Sequence, residues 1–224
     1  MKRMFLFACF LLIIIAGKAQ QVSADTFEKG MHKSGIQLLD VRTATEFNTG
    51  HLPDALQADF TKKDQFFDRI QHLDKTKPVY IYCLSGGRSA AAAKWMRSNG
   101  YTNVVEMEGG VIAWKKAGKT LTGGDTGPQM TTAAYESAVK GKGWVLADVG
   151  GAWCPPCRKM EPLVQQFVKD RQVKRVNIDG GKDTEVMKYI HANELPTFVL
   201  YKDGKEVWRK EGLVTMEEFE KAME

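Results

Sequence analysis

Pro78-Val79-Tyr80-Ile81-Tyr82-Cys83-Leu84-Ser85-Gly86-Gly87-Arg88-Ser89 decides the architecture of the first half of the chain. Pro78 to Tyr82 is rich in β-formers and ends at Cys83; a glycine-bearing turn follows, and Ser89 to Asn99 reads as a helix closed by Gly100. A strand that ends in such a turn before a helix points backbone N–H groups inward, where the helix N-terminus adds positive potential. That cradle favours a thiolate over a thiol and stabilises an anion formed on the sulfur. Gly86 and Gly87 permit the backbone angles, and Arg88 is placed to buttress the loop or to neutralise the anion. The segment alone leaves a second reading open: a buried structural cysteine before an ordinary glycine turn.

Outward from this loop, Ile36 to Val41 reads as a strand, which is the first clear core signal. Phe60 to Leu73 reads as a polar-faced helix, Asn103 to Met107 as a third strand and Val111 to Lys116 as a short helix. Strands alternating with helices predict an α/β domain with a mostly parallel sheet covered on both faces. Thr120 to Pro128 holds three glycines, three threonines and a proline, which is linker composition. Its nine residues would reach about 30 Å when extended, enough for two tethered sites to meet at an effective concentration on the order of millimolar.

The second half alternates again. Helices are expected over Thr131 to Lys140, Pro156 to Asp170, Thr184 to His191 and Thr215 to Met223. Strands are expected over Trp144 to Val149 and Val173 to Ile178, with a hairpin from Thr197 to Tyr201 and Glu206 to Lys210. The expected organisation is a first domain over 21–121, a linker over 122–129 and a second domain over 130–224.

The chain has 224 residues, 43% of them apolar, enough for two cores. Lys2 and Arg3 precede an apolar run of 13 residues from Met4 to Ala16, and Gly17-Lys18-Ala19 then supplies small residues. This predicts an export signal over 1–19 cleaved after Ala19, and hence a periplasmic or extracellular protein. The run is short of the roughly 20 residues a membrane span needs, so an uncleaved anchor is the weaker reading and no stable span is expected after cleavage. Cys9 lies inside the run and would be discarded with it. Losing Lys2, Arg3 and Lys18 removes three of the five net positive charges, too little remaining for a nucleic-acid partner. Cys83, Cys154 and Cys157 are left, too few for a disulfide scaffold. A single C-x-x-C beside scattered His32, His51, His72 and His191 disfavours metal, and no cofactor is expected.

The first half resembles the rhodanese family over about 21–121. Leu38-Leu39-Asp40-Val41-Arg42, Glu46-Phe47, Gly50-His51-Leu52-Pro53-Asp54-Ala55, Tyr82-Cys83 to Arg88-Ser89, and Glu108-Gly109-Gly110-Val111-Ile112-Ala113-Trp114 carry the likeness in order. The resemblance implies that Cys83 accepts a sulfane sulfur as a persulfide, with Leu84, Ser85, Gly86, Gly87 and Arg88 binding the anion. Cys83 and Arg88 enclose four residues, as in sulfurtransferases of this fold; the related phosphatases and arsenate reductases have one more, so sulfur is favoured over phosphate. Leu84 stands where the family often has a basic residue, which makes a protein or low-molecular-weight persulfide at least as good a donor as thiosulfate. Asp40 and Arg42 are read as structural support, a buried ion pair holding loops, and His51 as structural.

Trp153-Cys154-Pro155-Pro156-Cys157 is the strongest local signal. A cysteine at a helix N-terminus faces free N–H groups and the positive dipole end, which makes Cys154 the nucleophile; Cys157, one turn on, resolves the mixed disulfide. About 128–224 resembles thioredoxin, implying a mixed central sheet. Asp148, six residues before Cys154, sits where that family has a buried carboxylate; its expected role is to take the proton of Cys157. Pro162 matches the helix-kinking proline and Leu195-Pro196-Thr197 the cis-proline loop, so Pro196 and Trp153 are expected beside the substrate. Pro155 replaces the family's usual glycine.

The combined expectation is an exported thiol-disulfide oxidoreductase coupled to a sulfurtransferase-type domain. Its expected partners are a sulfane-sulfur or persulfide donor, a thiol or disulfide protein, and an external electron donor. The rival expectation is a general disulfide reductase or oxidase whose first domain is a non-catalytic binding module.

Overall fold

A computed structural model describes residues 20–124 and 127–224; the expected export signal lies outside them. The first domain runs β1 (Gln20–Val22), α1 (Ala24–Met31), β2 (Gln37–Asp40), α2 (Ala44–Asn48), β3 (Leu56–Gln57), α3 (Lys63–Ile70), β4 (Val79–Tyr82), α4 (Gly87–Ser98), β5 (Val104–Met107) and α5 (Gly110–Lys116). Its five strands are ordered β1-β5-β4-β2-β3 and every pairing is parallel.

In β4 the alternation of side chains explains the layering. Val79, Ile81 and then Cys83 face one core with Leu39, Phe66 and Met96, while Tyr80 and Tyr82 face the other with Phe27, Phe47 and Trp114. Burial on both faces is why the strand reads as a continuous apolar run. Truncating Ile81, which is fully buried, to alanine would cost about 2–5 kcal/mol.

Four elements precede or interrupt the expected ones. β1 and β3 are three and two residues long, too short to show alternation. α1 buries only Ala24, Phe27 and Gly30, and α2 only Phe47. The helix expected from Phe60 begins at Lys63, because Asp59 Oδ1 accepts from the N–H (2.9 Å) and hydroxyl (2.6 Å) of Thr61 and holds a turn there instead.

The second domain runs α6 (Thr132–Val139), β6 (Trp144–Gly150), α7 (Pro155–Asp170), β7 (Lys174–Asp179), α8 (Thr184–Tyr189), β8 (Thr197–Lys202), β9 (Lys205–Glu211) and α9 (Met216–Lys221). The sheet order is β7-β6-β8-β9, with β6 parallel to β7 and antiparallel to β8. Tyr135 and Val139 pack on one face of the sheet, Phe167 and Phe219 on the other. The Leu195–Pro196 peptide is cis.

The expected linker is partly built into the first domain. Leu121 packs against its core, and Thr122 and His51 exchange two backbone hydrogen bonds of 2.7 Å. Gly123 lies so close over the His51 ring that a β-carbon there would collide with it.

Candidate active site: two thiols and the surface between the domains

β4 delivers Cys83 to a turn whose polarity is set by its neighbours. The carbonyls of Cys83 and Leu84 face outward and accept from the N–H groups of Val111 (2.9 Å) and Ile112 (3.0 Å) at the start of α5. Gly110 makes this approach possible: a β-carbon on it would overlap the Cys83 carbonyl. With the carbonyls engaged there, amides are left facing the sulfur. The Gly86 N–H donates to Cys83 Sγ at 3.1 Å, and the Ser89 hydroxyl lies 3.4 Å from it. Gly86, at φ +100°, takes the left-handed conformation that allows the turn to close onto α4.

Cys83 is only 1% exposed. Burial pushes its thiol up, but the hydroxyl and amide of Ser89 and the amides of Ser85 and Gly86 outweigh it, and the thiol lies below its ordinary value. Leu84, 39% exposed, and the exposed Ser85 form the outer rim. Arg88 makes a two-pronged ion pair with Glu46 (2.7 and 2.6 Å), and this pairing holds the Glu46 carboxyl at about 2. Glu46 also closes a capping box with Thr43 at the start of α2.

Asp40 and Arg42 form a buried pair at 2.6 Å, and Arg42 also donates to the Gly50 carbonyl at 2.8 Å. Burial raises the Asp40 carboxyl despite this partner. The pair ties the β2 end to the Gly50 loop. His51 stacks on Phe47 with ring centroids 3.7 Å apart.

Cys154 and Cys157 are joined in a disulfide with Cα atoms 5.2 Å apart. Cys154 caps α7, its sulfur 3.4 Å from the Cys157 N–H, and Pro155 and Pro156 occupy the first helical positions, where a missing N–H costs nothing. Asp148 accepts from Arg175 at 3.0 and 2.6 Å, and Arg175 also binds Glu161 at 2.8 and 2.7 Å. Burial raises the Asp148 carboxyl, with Arg175 opposing. Cys157 Sγ and Asp148 Oδ1 flank the empty β-carbon position of Gly150, at 3.0 and 3.8 Å from it. A cavity of about 860 Å³ runs here, bordered by Asp148, Cys157, Glu161, Arg175 and Pro196.

The sequence sets Trp153 beside the substrate and makes Cys154 the nucleophile; in the structure Trp153 is half-buried and Cys154 buried. Cys154 has no exposed area. The Gln57 N–H on β3 donates to the Trp153 carbonyl at 2.7 Å. The Trp153 ring lies 6.0 Å from Phe47 and 5.1 Å from the Arg69 guanidinium, and the Asn48 amide donates to the Gly181 carbonyl. The dithiol loop therefore docks on the unpaired edge of the first sheet. Gln57, Arg69, Glu106, Arg175 and Glu161 went unread in the sequence, since each acquires its role only from a partner remote in the chain. Among the described residues no group of side chains is arranged to hold a metal ion, and no helix is long and apolar enough to cross a membrane.

The rhodanese-like domain family matches residues 23–117 and the thioredoxin family residues 127–224. A sulfurtransferase of Allochromatium vinosum is 37% identical over 83 residues, covering 37% of this chain and 75% of its own. The uncharacterized protein YqhL of Bacillus subtilis is 32% identical over 117 residues, covering 50% and 89%. A thioredoxin of Alicyclobacillus acidocaldarius is 32% identical over 95 residues, covering 41% and 89%. With a cysteine in an amide cradle in one half and a helix-capping dithiol in the other, the chain belongs to both families, as a rhodanese-like domain followed by a thioredoxin domain.

Proposed function

We propose that this chain is an exported enzyme that takes up sulfane sulfur on Cys83 and discharges it through the Cys154–Cys157 dithiol. The observation that carries the reading is the convergence of the Gly86 N–H and the Ser89 hydroxyl on Cys83 Sγ, in a chain that also holds the dithiol. Cys83 thiolate attacks the outer sulfur of a persulfide donor and becomes a persulfide, releasing the donor as a thiol. Reduced Cys154 attacks that outer sulfur, freeing Cys83 and becoming the persulfide itself. Cys157 then attacks Cys154 Sγ and expels hydrosulfide. Two electrons leave the dithiol, one sulfur is reduced, and a thiol reductant from outside restores the pair. Asp148 receives the Cys157 proton.

The docked loop is the resting arrangement. Contact with the Cys83 persulfide follows its release from β3, on the chain beyond Thr122. Intact mass after exposure to a low-molecular-weight persulfide tests the scheme: added sulfur should map to Cys83 and vanish in Cys83→Ser. Full sulfur-transfer activity in that variant overturns it.

Occupation of the dithiol face by the first domain favours a second reading, a disulfide oxidoreductase whose first domain is a binding module. Insulin reduction that is unaffected by Cys83→Ser, together with absent sulfurtransferase activity, would select it.

A further inference from the structure

Cys83 is almost sealed from water, so an ionising thiol there needs an internal acceptor for its proton. Ser89, fully buried, has its Oγ 3.4 Å from Cys83 Sγ, 2.9 Å from Glu106 Oε1 and 3.0 Å from the Gly86 carbonyl. Glu106, on β5, is 4% exposed and has no role in the scheme above. A serine hydroxyl carries one hydrogen, so these acceptors compete for it.

We propose that Cys83 and Glu106 share one proton across the Ser89 hydroxyl, making Glu106 the base that receives the thiol's proton. When Glu106 is ionised, its charge-assisted bond captures the Ser89 hydrogen, and Ser89 Oγ can only accept from the thiol. When the thiol ionises, its proton passes to Ser89 Oγ as the Ser89 hydrogen passes to Glu106 Oε1. The products are a thiolate held by two donors, Ser89 O–H and Gly86 N–H, and a neutral Glu106; the count of protons and the total charge do not change. Burial raises the Glu106 carboxyl, which suits it to hold a proton, while the Ser89 hydrogen bond and then the charge of Arg97 on α4 oppose. Its partners across the sheet, Ile81 on β4 and Gln21 on β1, do not titrate. Glu106 acts through Ser89 and is thus a positioning residue. The inference rests on Cys83 being a working thiol, but its test reads ionisation and not sulfur transfer, so the two fail separately.

The test is the ultraviolet thiolate absorbance of the full chain against pH, with Cys154–Cys157 kept oxidised and the curve of Cys83→Ser subtracted. Wild type should titrate in two steps, because strongly coupled sites lose protons as a pair. Glu106→Gln should give one step, with a neutral-pH thiolate fraction changed by several-fold. Ser89→Ala, which keeps Glu106, should shift the thiol upward and leave it insensitive to a further Glu106→Gln. A Glu106→Gln curve superimposing on wild type overturns the proposal; if that variant does not fold, a Ser89→Ala curve superimposing on wild type does so.

Discussion

Glu46→Gln isolates the ion pair that fastens the cradle to α2. Glutamine keeps the capping box, since its side-chain carbonyl can still accept from the Thr43 N–H, but its NH2 then stands where an oxygen accepted from Arg88 Nη2, so one ionic hydrogen bond goes with the charge. A carboxyl held at about 2 instead of 4.5 would stabilise a fully desolvated site by about 3 kcal/mol. The Arg88 and Glu46 side chains are 26% and 28% exposed, and solvent screening lowers this to about 1 kcal/mol. The sign follows from the depressed carboxyl: the contribution is complete above the ordinary value near 4.5 and disappears as pH falls towards 2. Urea unfolding near neutral pH should therefore place Glu46→Gln about 1 kcal/mol below wild type, and the gap should close in acid. A gap that persists at the low-pH end, or none at neutral pH, refutes the assignment of the pair as the lock on Arg88.

Gly110→Ala should drive the Cys83–Leu84 carbonyls off the α5 amides and unseat the cradle, with a loss of about 1–3 kcal/mol in thermal unfolding and a slower reaction of Cys83 with a small alkylating reagent. Asp148→Asn should slow insulin reduction at neutral pH. Because the Asp148 carboxyl is raised, its contribution to stability is full below its ordinary range and lost as pH rises through the raised value; stability curves for the variant should lack that slope. Combining Asn48→Ala with Arg69→Ala removes two side chains that hold the docked loop, and the Cys154–Cys157 disulfide should then be reduced several-fold faster by dithiothreitol. An unchanged rate would mean the docked surface does not limit access.

Legibility in the sequence followed locality. The Cys83 loop and the dithiol each lie within a dozen consecutive residues, and the longest element, α7, within 16. The Leu195–Pro196 cis peptide was legible for the same reason. β3 was not: two residues carry no period, and Gln57 matters only because its edge N–H meets Trp153. Arg175 and Glu161 resemble ordinary surface charges until β7 and α7 bring them to Asp148. Thr122 and Gly123, in the expected linker, close against His51, because glycine and threonine signal a turn equally well whether or not an imidazole ring packs beneath it.

The sulfurs of Cys83 and Cys154 are both buried, yet the two burials differ in kind. The walls around Cys83 include its own loop, with the Gly86 N–H and the Ser89 hydroxyl facing the sulfur. Beside Cys154 the first domain holds Trp153 by a backbone hydrogen bond, a ring contact, a cation–π contact and packing against its core, and among the described residues Asn48 adds a hydrogen bond to Gly181. The proposed transfer needs this contact between domains to part, whereas a donor must reach Cys83 past the rim of Leu84 and Ser85. α2 belongs to both arrangements. Glu46 holds Arg88 at the cradle rim, and the next two residues, Phe47 and Asn48, face the thioredoxin domain. Arg88 feels the charge of Cys83 as well as that of Glu46, so an anion on Cys83 would draw on the guanidinium that Glu46 holds, next in the chain to the docked Phe47 and Asn48. Thiosulfate should therefore alter the rate of disulfide reduction in wild type and not in Glu46→Gln; an equal response in both would mean the two burials are independent.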